Sequence, residues 1–258
     1  MKTKSDRRRV TSGGKTLVTR GGGPCHSSLV TRHSLAFTLI ELLLVISIIA
    51  IIAAFTVPVI SSIKRLAYVN KTKAEMAQIE TAIERYKAAY GFYPPDNPGH
   101  MLTNQLYYEL VGTMNTNTVL YTTLDGRSQI NAGQLNTLFG STKVNGFLNC
   151  TKSGAGEDTP VAKTFLPDLK AAQIGSYTNP PANKFSVGVD LLIASVGGPY
   201  QSYQPLKYVG MNPWRYNSSS PANNPGSYDL YVQLVIKPGQ TNLICNWTKQ
   251  VQINNPLP

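Results

Sequence analysis

Apolar and polar positions divide the chain into stretches of different character. Residues 42–63 form a run of 22 residues without a single charge. As a helix this run is about 33 Å long, enough to cross a bilayer core. It is too long for the apolar part of a secretory signal, and no small-x-small cleavage site follows it directly. Beyond it the pattern becomes amphipathic. Met76, Ile79, Ile83, Tyr86 and Tyr90 recur at steps of three and four, one narrow apolar stripe on a polar helix, with Leu66 and Val69 continuing it towards the uncharged run. Gly91 stands where a helix C-terminus is expected, and Pro94 and Pro95 forbid continuation. One helix over 37–90, roughly 80 Å at 1.5 Å per residue, is the expectation. Pro58 lies inside it, removes one backbone hydrogen bond and is expected to kink it.

From Phe92 onward the pattern weakens and turn formers abound. A short helix is expected at 103–111. Alternation of Tyr228, Leu230, Val232, Leu234 and Ile236 with Asp229, Tyr231, Gln233 and Val235 predicts a strand. The residues Lys237, Pro238, Gly239 and Gln240 predict a turn, 241–247 the return strand, and 214–216 an earlier strand joined through the loop 218–226. Residues 112–185 have no clear period. The fold class expected is α+β: a long N-terminal helix packed on a small antiparallel sheet.

The opening 36 residues change the picture. They are rich in Gly, Ser, Thr and Arg, without apolar period, and read as unfolded. They carry eight basic side chains and one acid, so most of the net charge of +11 is located there. The remainder shows no basic face, which argues against nucleic-acid binding by the C-terminal part. Basic residues before the span outnumber Lys64, Arg65, Lys71 and Lys73 after it, which favours a cytoplasmic N-terminus. Only 14% of residues are charged, a balance suited to an extracytoplasmic or self-assembling protein. Of three cysteines, Cys25 lies in the basic segment, while Cys150 and Cys245 allow one disulfide or two free thiols.

At the junction of basic segment and apolar run stand Ala36, Phe37, Thr38, Leu39, Ile40, Glu41, Leu42 and Leu43. This resembles the processing site of type IV prepilins and type II secretion pseudopilins. The resemblance implies cleavage by prepilin peptidase after Ala36, N-methylation of Phe37, and an assembly role for Glu41, five residues into the mature chain, with Pro58 at a position where the family often has proline. Ala36 stands where the family usually has Gly, and a leader of 36 residues is long for it. An acid just inside an apolar helix needs a partner, and the α-amine freed at Phe37 of a neighbouring subunit supplies one; the alternative is that Glu41 reaches back to the interface.

A second resemblance concerns the C-terminal part. Lys87 to Pro94 is similar to the helix end of major (G-type) pseudopilins, and Asn212 to Tyr216 with Ser227 to Tyr231 is similar to two of their strands. In that family an acidic loop follows and holds calcium. Here the residues after Tyr231 include no Asp or Glu before Trp247, so the resemblance implies the fold and no metal. The layout implied is 1–36 leader, 37–63 transmembrane segment, 64–91 soluble half of the helix and 92–258 head. The partners implied are copies of itself, prepilin peptidase, an inner-membrane assembly platform and lipid, with the head in the periplasm. The function implied is a filament subunit of a type II secretion pseudopilus. A type IV pilus subunit for adhesion, motility or DNA uptake is the alternative.

No enzyme is expected and no cofactor. His26 and His33 lie in the leader and His100 in a Pro- and Gly-rich loop. Neither Cys150 nor Cys245 has an activating neighbour in sequence. Glu157, Asp158 and Asp190 belong to no motif. Gly13 to Thr16 contains a GKT without the earlier Gly or the preceding strand of a phosphate loop. The Asn-x-Thr triplets at Asn149 and Asn246 are weak signals of glycosylation.

Overall fold

A computed structural model describes residues 37–98, 100–117, 119–139, 146–152, 154, 160–178, 188–196 and 203–257, with the side chains of 56–61 excepted. Ala36, Glu157 and Asp158 therefore lie outside the described residues, as does the side chain of Pro58. Two units are distinguished, Met1–Ile52 and Ala53–Pro258.

Helix α1 runs Leu39–Tyr90. Among the described residues no helix is long and apolar enough to cross a membrane. The uncharged run of the sequence continues through positions 56–61, whose side chains are not among those described. In the second unit the amphipathic stripe is the buried edge of α1: Val69, Ile79, Ala82, Ile83 and Tyr86 are buried, and Met76 and Tyr90 pack against them. Leu66 is exposed instead. The helix stops where Gly91 takes φ +84°, its N–H donating to the Lys87 carbonyl at 2.7 Å. A left-handed residue costs glycine nothing, and the two prolines beyond cannot continue the helical ladder.

Helix α2, Leu106–Val111, occupies part of the expected 103–111 helix and every residue of it is buried. The unperiodic stretch holds strands β1 (Thr113–Asn115), β2 (Leu120–Thr123) and β3 (Gln129–Asn131), helix α3 (Ala132–Phe139) and strand β4 (Cys150–Lys152). A 3-10 turn (Ala171–Gln173) follows, then the hairpin of β5 (Ile174–Thr178) and β6 (Gly188–Leu192). Strands β7 (Arg215–Asn217), β8 (Asp229–Lys237), β9 (Gln240–Cys245) and β10 (Thr248–Ile253) complete the chain.

The expectation of one small antiparallel sheet is corrected on two counts. There are three sheets among the described residues, β3-β2-β1-β4, β10-β9-β8-β7 and β5-β6. One ladder, β1 with β4, is parallel. Parallel strands need a long crossover, and the chain from Asn115 to Cys150, with α3 in it, provides one. Class α+β holds.

Strand β8 of the last sheet is buried on both faces over most of its length, which its alternating pattern does not suggest. Leu230, Val232 and Leu234 join Ile79, Ile83 and Tyr86 of α1 in the main core. On the other face Tyr231, Leu243 and Cys245 form a smaller cluster with Met101 and Trp247. Asp229, Tyr231 and Gln233, the alternate positions of β8, are thus buried too.

Candidate functional site

The N-terminal segment is built first by helix initiation. Thr38 precedes the first helical residue, and its backbone N–H and hydroxyl both donate to Glu41 Oε2 at 2.9 Å. The Glu41 N–H returns a bond to the Thr38 hydroxyl at 3.3 Å. This is a reciprocal capping box, which satisfies two of the N–H groups that a helix start leaves without partners. Sequence reasoning missed the capping role of Thr38; the signal that could have found it is a Thr followed three residues later by Glu, directly before an apolar run.

The apolar residues that follow are uncovered. Phe37, Leu39, Ile40, Leu42, Leu43, Leu44, Val45, Ile46, Ile48, Ile49, Ile51, Ile52 and Phe55 are all exposed. Water-facing surfaces of single chains rarely carry so long an apolar stretch, and such a stretch marks a surface that lipid or other protein covers. The structure therefore brings Phe37 and Glu41 to one end of an exposed apolar stretch of α1. Ala36, the other side of the expected cut, is outside the described residues.

The other sequence candidates fall elsewhere. Cys150 on β4 and Cys245 on β9 are free thiols in different sheets, so the disulfide between them is not formed. Their surroundings differ as well: Cys150 meets Thr113 and Asn115, Cys245 meets Thr248 and Trp247. Burial pushes both thiols up from the ordinary thiol range, which lowers the thiolate fraction and with it nucleophilicity. Asn149, first residue of one Asn-x-Thr triplet, has no exposed surface. Asn246 spends its side chain on the Tyr228 carbonyl and the Leu230 N–H.

Asn149 belongs instead to a polar cluster that sequence reasoning missed. Its amide donates to the Glu109 carbonyl at 2.7 Å and the Lys163 carbonyl at 2.6 Å. Its oxygen accepts from the Tyr90 hydroxyl and the Lys163 N–H, both at 2.8 Å. The Glu109 carboxylate, fully buried on α2, accepts from the N–H groups of Leu148 and Asn149 and from the Tyr86 hydroxyl. Burial holds its pKa above the ordinary carboxylate value, against the lowering effect of these bonds. The cluster ties α1 to α2 and β4.

The loop 218–226 is held by two carboxylates. Asp229 accepts the N–H groups of Ala222, Asn223 and Asn224 at 2.8 to 2.9 Å. Asp96 accepts those of Ser218 and Ser219, both at 3.0 Å. These carboxylates are directed at backbone donors, whose positive ends face any approaching cation. The residues do not fit a calcium ion, which needs several converging oxygens.

The structure also brings the two segments of the pseudopilin-like pattern together. Tyr93 stacks edge-on against Tyr228 at 5.0 Å, and the Tyr216 hydroxyl donates to the Pro94 carbonyl at 2.8 Å.

No curated protein and no solved structure matches the chain. Residues 31–57 match the family model described as the prokaryotic N-terminal methylation motif. That interval contains Ala36, Phe37, Thr38 and Glu41 and ends one residue before Pro58. The capping box, the uncovered apolar helix and this match agree: the chain carries, at its N-terminal end, the methylation motif of type IV prepilin-like proteins.

Proposed function

We propose that the chain is a filament-forming, non-catalytic subunit of a type II secretion pseudopilus. Prepilin peptidase removes 1–36, Phe37 is N-methylated, and the segment 37–63 holds the subunit in the inner membrane with its head in the periplasm. Subunits then leave the bilayer through an assembly platform by packing their apolar helices side by side. The observation that carries this reading is the methylation motif at the foot of a helix whose apolar side chains, among the described residues, are exposed. The contacts of Tyr93 and Pro94 with Tyr228 and Tyr216 support the pseudopilin form of it. A type IV pilus subunit, serving adhesion, motility or DNA uptake, is the second reading, since the motif at 31–57 is common to both.

Intact-mass and N-terminal analysis of membrane-purified protein test the proposal. The expected product begins at N-methylated Phe37, and Ala36→Leu leaves the leader attached. A wild-type chain that retains residues 1–36 in the membrane overturns the reading. Filaments lost on deletion of a secretion ATPase, and not of a retraction ATPase, separate the pseudopilus from the pilus.

A further inference from the structure

The face of the β10-β9-β8-β7 sheet opposite the main core carries a cleft of about 560 Å³. Arg215 and Tyr231, direct cross-strand partners on β7 and β8, line it together with Leu138 and Leu206. His100 and Thr137, both exposed, stand at its rim.

Arg215 is the unusual member. Only 6% of its surface is exposed. Nη2 donates to the Tyr203 hydroxyl at 3.3 Å, and Nη1 is buried without an acceptor among the described residues. Among the described residues no carboxylate lies within ion-pair distance of it. Asp229 is on the neighbouring strand, but its oxygens serve the loop 222–224. The guanidinium also lies 5.8 Å from the centre of the Tyr231 ring. A buried charge without a counter-charge is costly, and a guanidinium offers a planar fork of donors that fits a carboxylate.

We propose that this cleft is a binding site for a small organic carboxylate with a compact apolar or aromatic body. The carboxylate pairs with Arg215. The body lies against Leu138 and Leu206 and the ring of Tyr231. One buried guanidinium and apolar walls select a monoanion with an apolar body over inorganic phosphate. Ligand sites of this size, mostly apolar with one charged anchor, are ordinary in proteins.

The full-length chain in detergent micelles is titrated with phenylacetate, phenylacetamide and acetate. Trp247 lies edge-on to Tyr231, with ring centres 5.3 Å apart, so tryptophan fluorescence reports occupancy, and saturation-transfer NMR observes the ligand directly. Phenylacetate is expected to give a saturable response with Kd below about 1 mM, and the amide and acetate to bind at least about tenfold more weakly. Arg215→Gln is expected to abolish the response. Thr137→Trp, at an exposed position, is expected to block the mouth while leaving Arg215 in place. No saturable response from wild type overturns the proposal, as does equal binding of acid and amide or of phenylacetate and acetate. If Arg215→Gln does not fold, Thr137→Trp decides: unchanged binding there overturns the site.

Discussion

Glu109 sits fully buried, and among the described residues its carboxylate has no ion-pair partner. Burial raises its pKa above the ordinary value of 4.5. The unfolded chain therefore releases this proton at lower pH than the folded one. Between the unfolded and folded values the folded state binds more protons, so stability falls as pH rises through that window and levels off above it. Glu109→Gln removes the titration. Melting temperatures of both chains from about pH 4 to about pH 8 are expected to show wild type losing ground to Glu109→Gln as pH rises; a difference that is flat with pH overturns the assignment. At Glu41 the cap on Thr38 stands beside the proposed pairing with a neighbour's amine. Thr38→Ala removes the two hydroxyl bonds of the cap and leaves the acid with the backbone N–H of residue 38, whereas Glu41→Ala removes both roles. Sheared-filament yield beside membrane-fraction yield separates them. Glu41→Ala is expected to insert and be cleaved but to lose filaments, and Thr38→Ala to keep them. Equal loss in both variants makes the cap the whole role of Glu41.

At the scale of elements, α1 was legible because its signals are local and repeated. The stripe through Ile79, Ile83 and Tyr86, Gly91 and the proline pair each fix one property of it. Strands β7, β8 and β9 and the turn between β8 and β9 were legible for the same reason, since alternation and turn residues there agree. Strand β10 was not: Thr248, Lys249, Gln250, Val251, Gln252 and Ile253 are half-polar and acquire their shape from pairing with β9. The short strands β1 to β4 have three or four residues each, too few to show a period. The polar cluster at Glu109 and Asn149 joins residues about 40 apart and no spacing rule announces it. Gly112, which ends α2, gives the prediction that belongs here. It has φ +82°, and a Cβ there meets the Lys163 carbonyl oxygen at 2.9 Å. Gly112→Ala is expected to destabilise by about 2 kcal/mol or more, from strain and the backbone clash together, read as a lower denaturation midpoint at unchanged slope. An unchanged midpoint counts against the tight junction of α2 with 163.

For the molecule as a whole, the loop 218–226 is clamped by Asp96 and Asp229 through N–H donors. Stability should then be independent of calcium: chelator is expected to leave the melting temperature unchanged, and a clear rise on adding calcium overturns this. A different consequence follows from where the core draws its residues. Ile79, Ile83 and Tyr86 lie near one end of the chain, while Val232, Leu234 and Ile244, in the same core, lie near the other. Synthesis delivers the helix first, and roughly 150 residues must follow before its apolar stripe meets the strands that cover it. Closing so long a loop places folding in the slow range, milliseconds to seconds, of proteins built on distant contacts. During that interval the part of the core that these strands complete faces water, open to proteases and to other unfinished chains. The chain is thus most vulnerable in time rather than in place, and one truncated before β8 lacks Val232, Leu234 and Ile244 of that core.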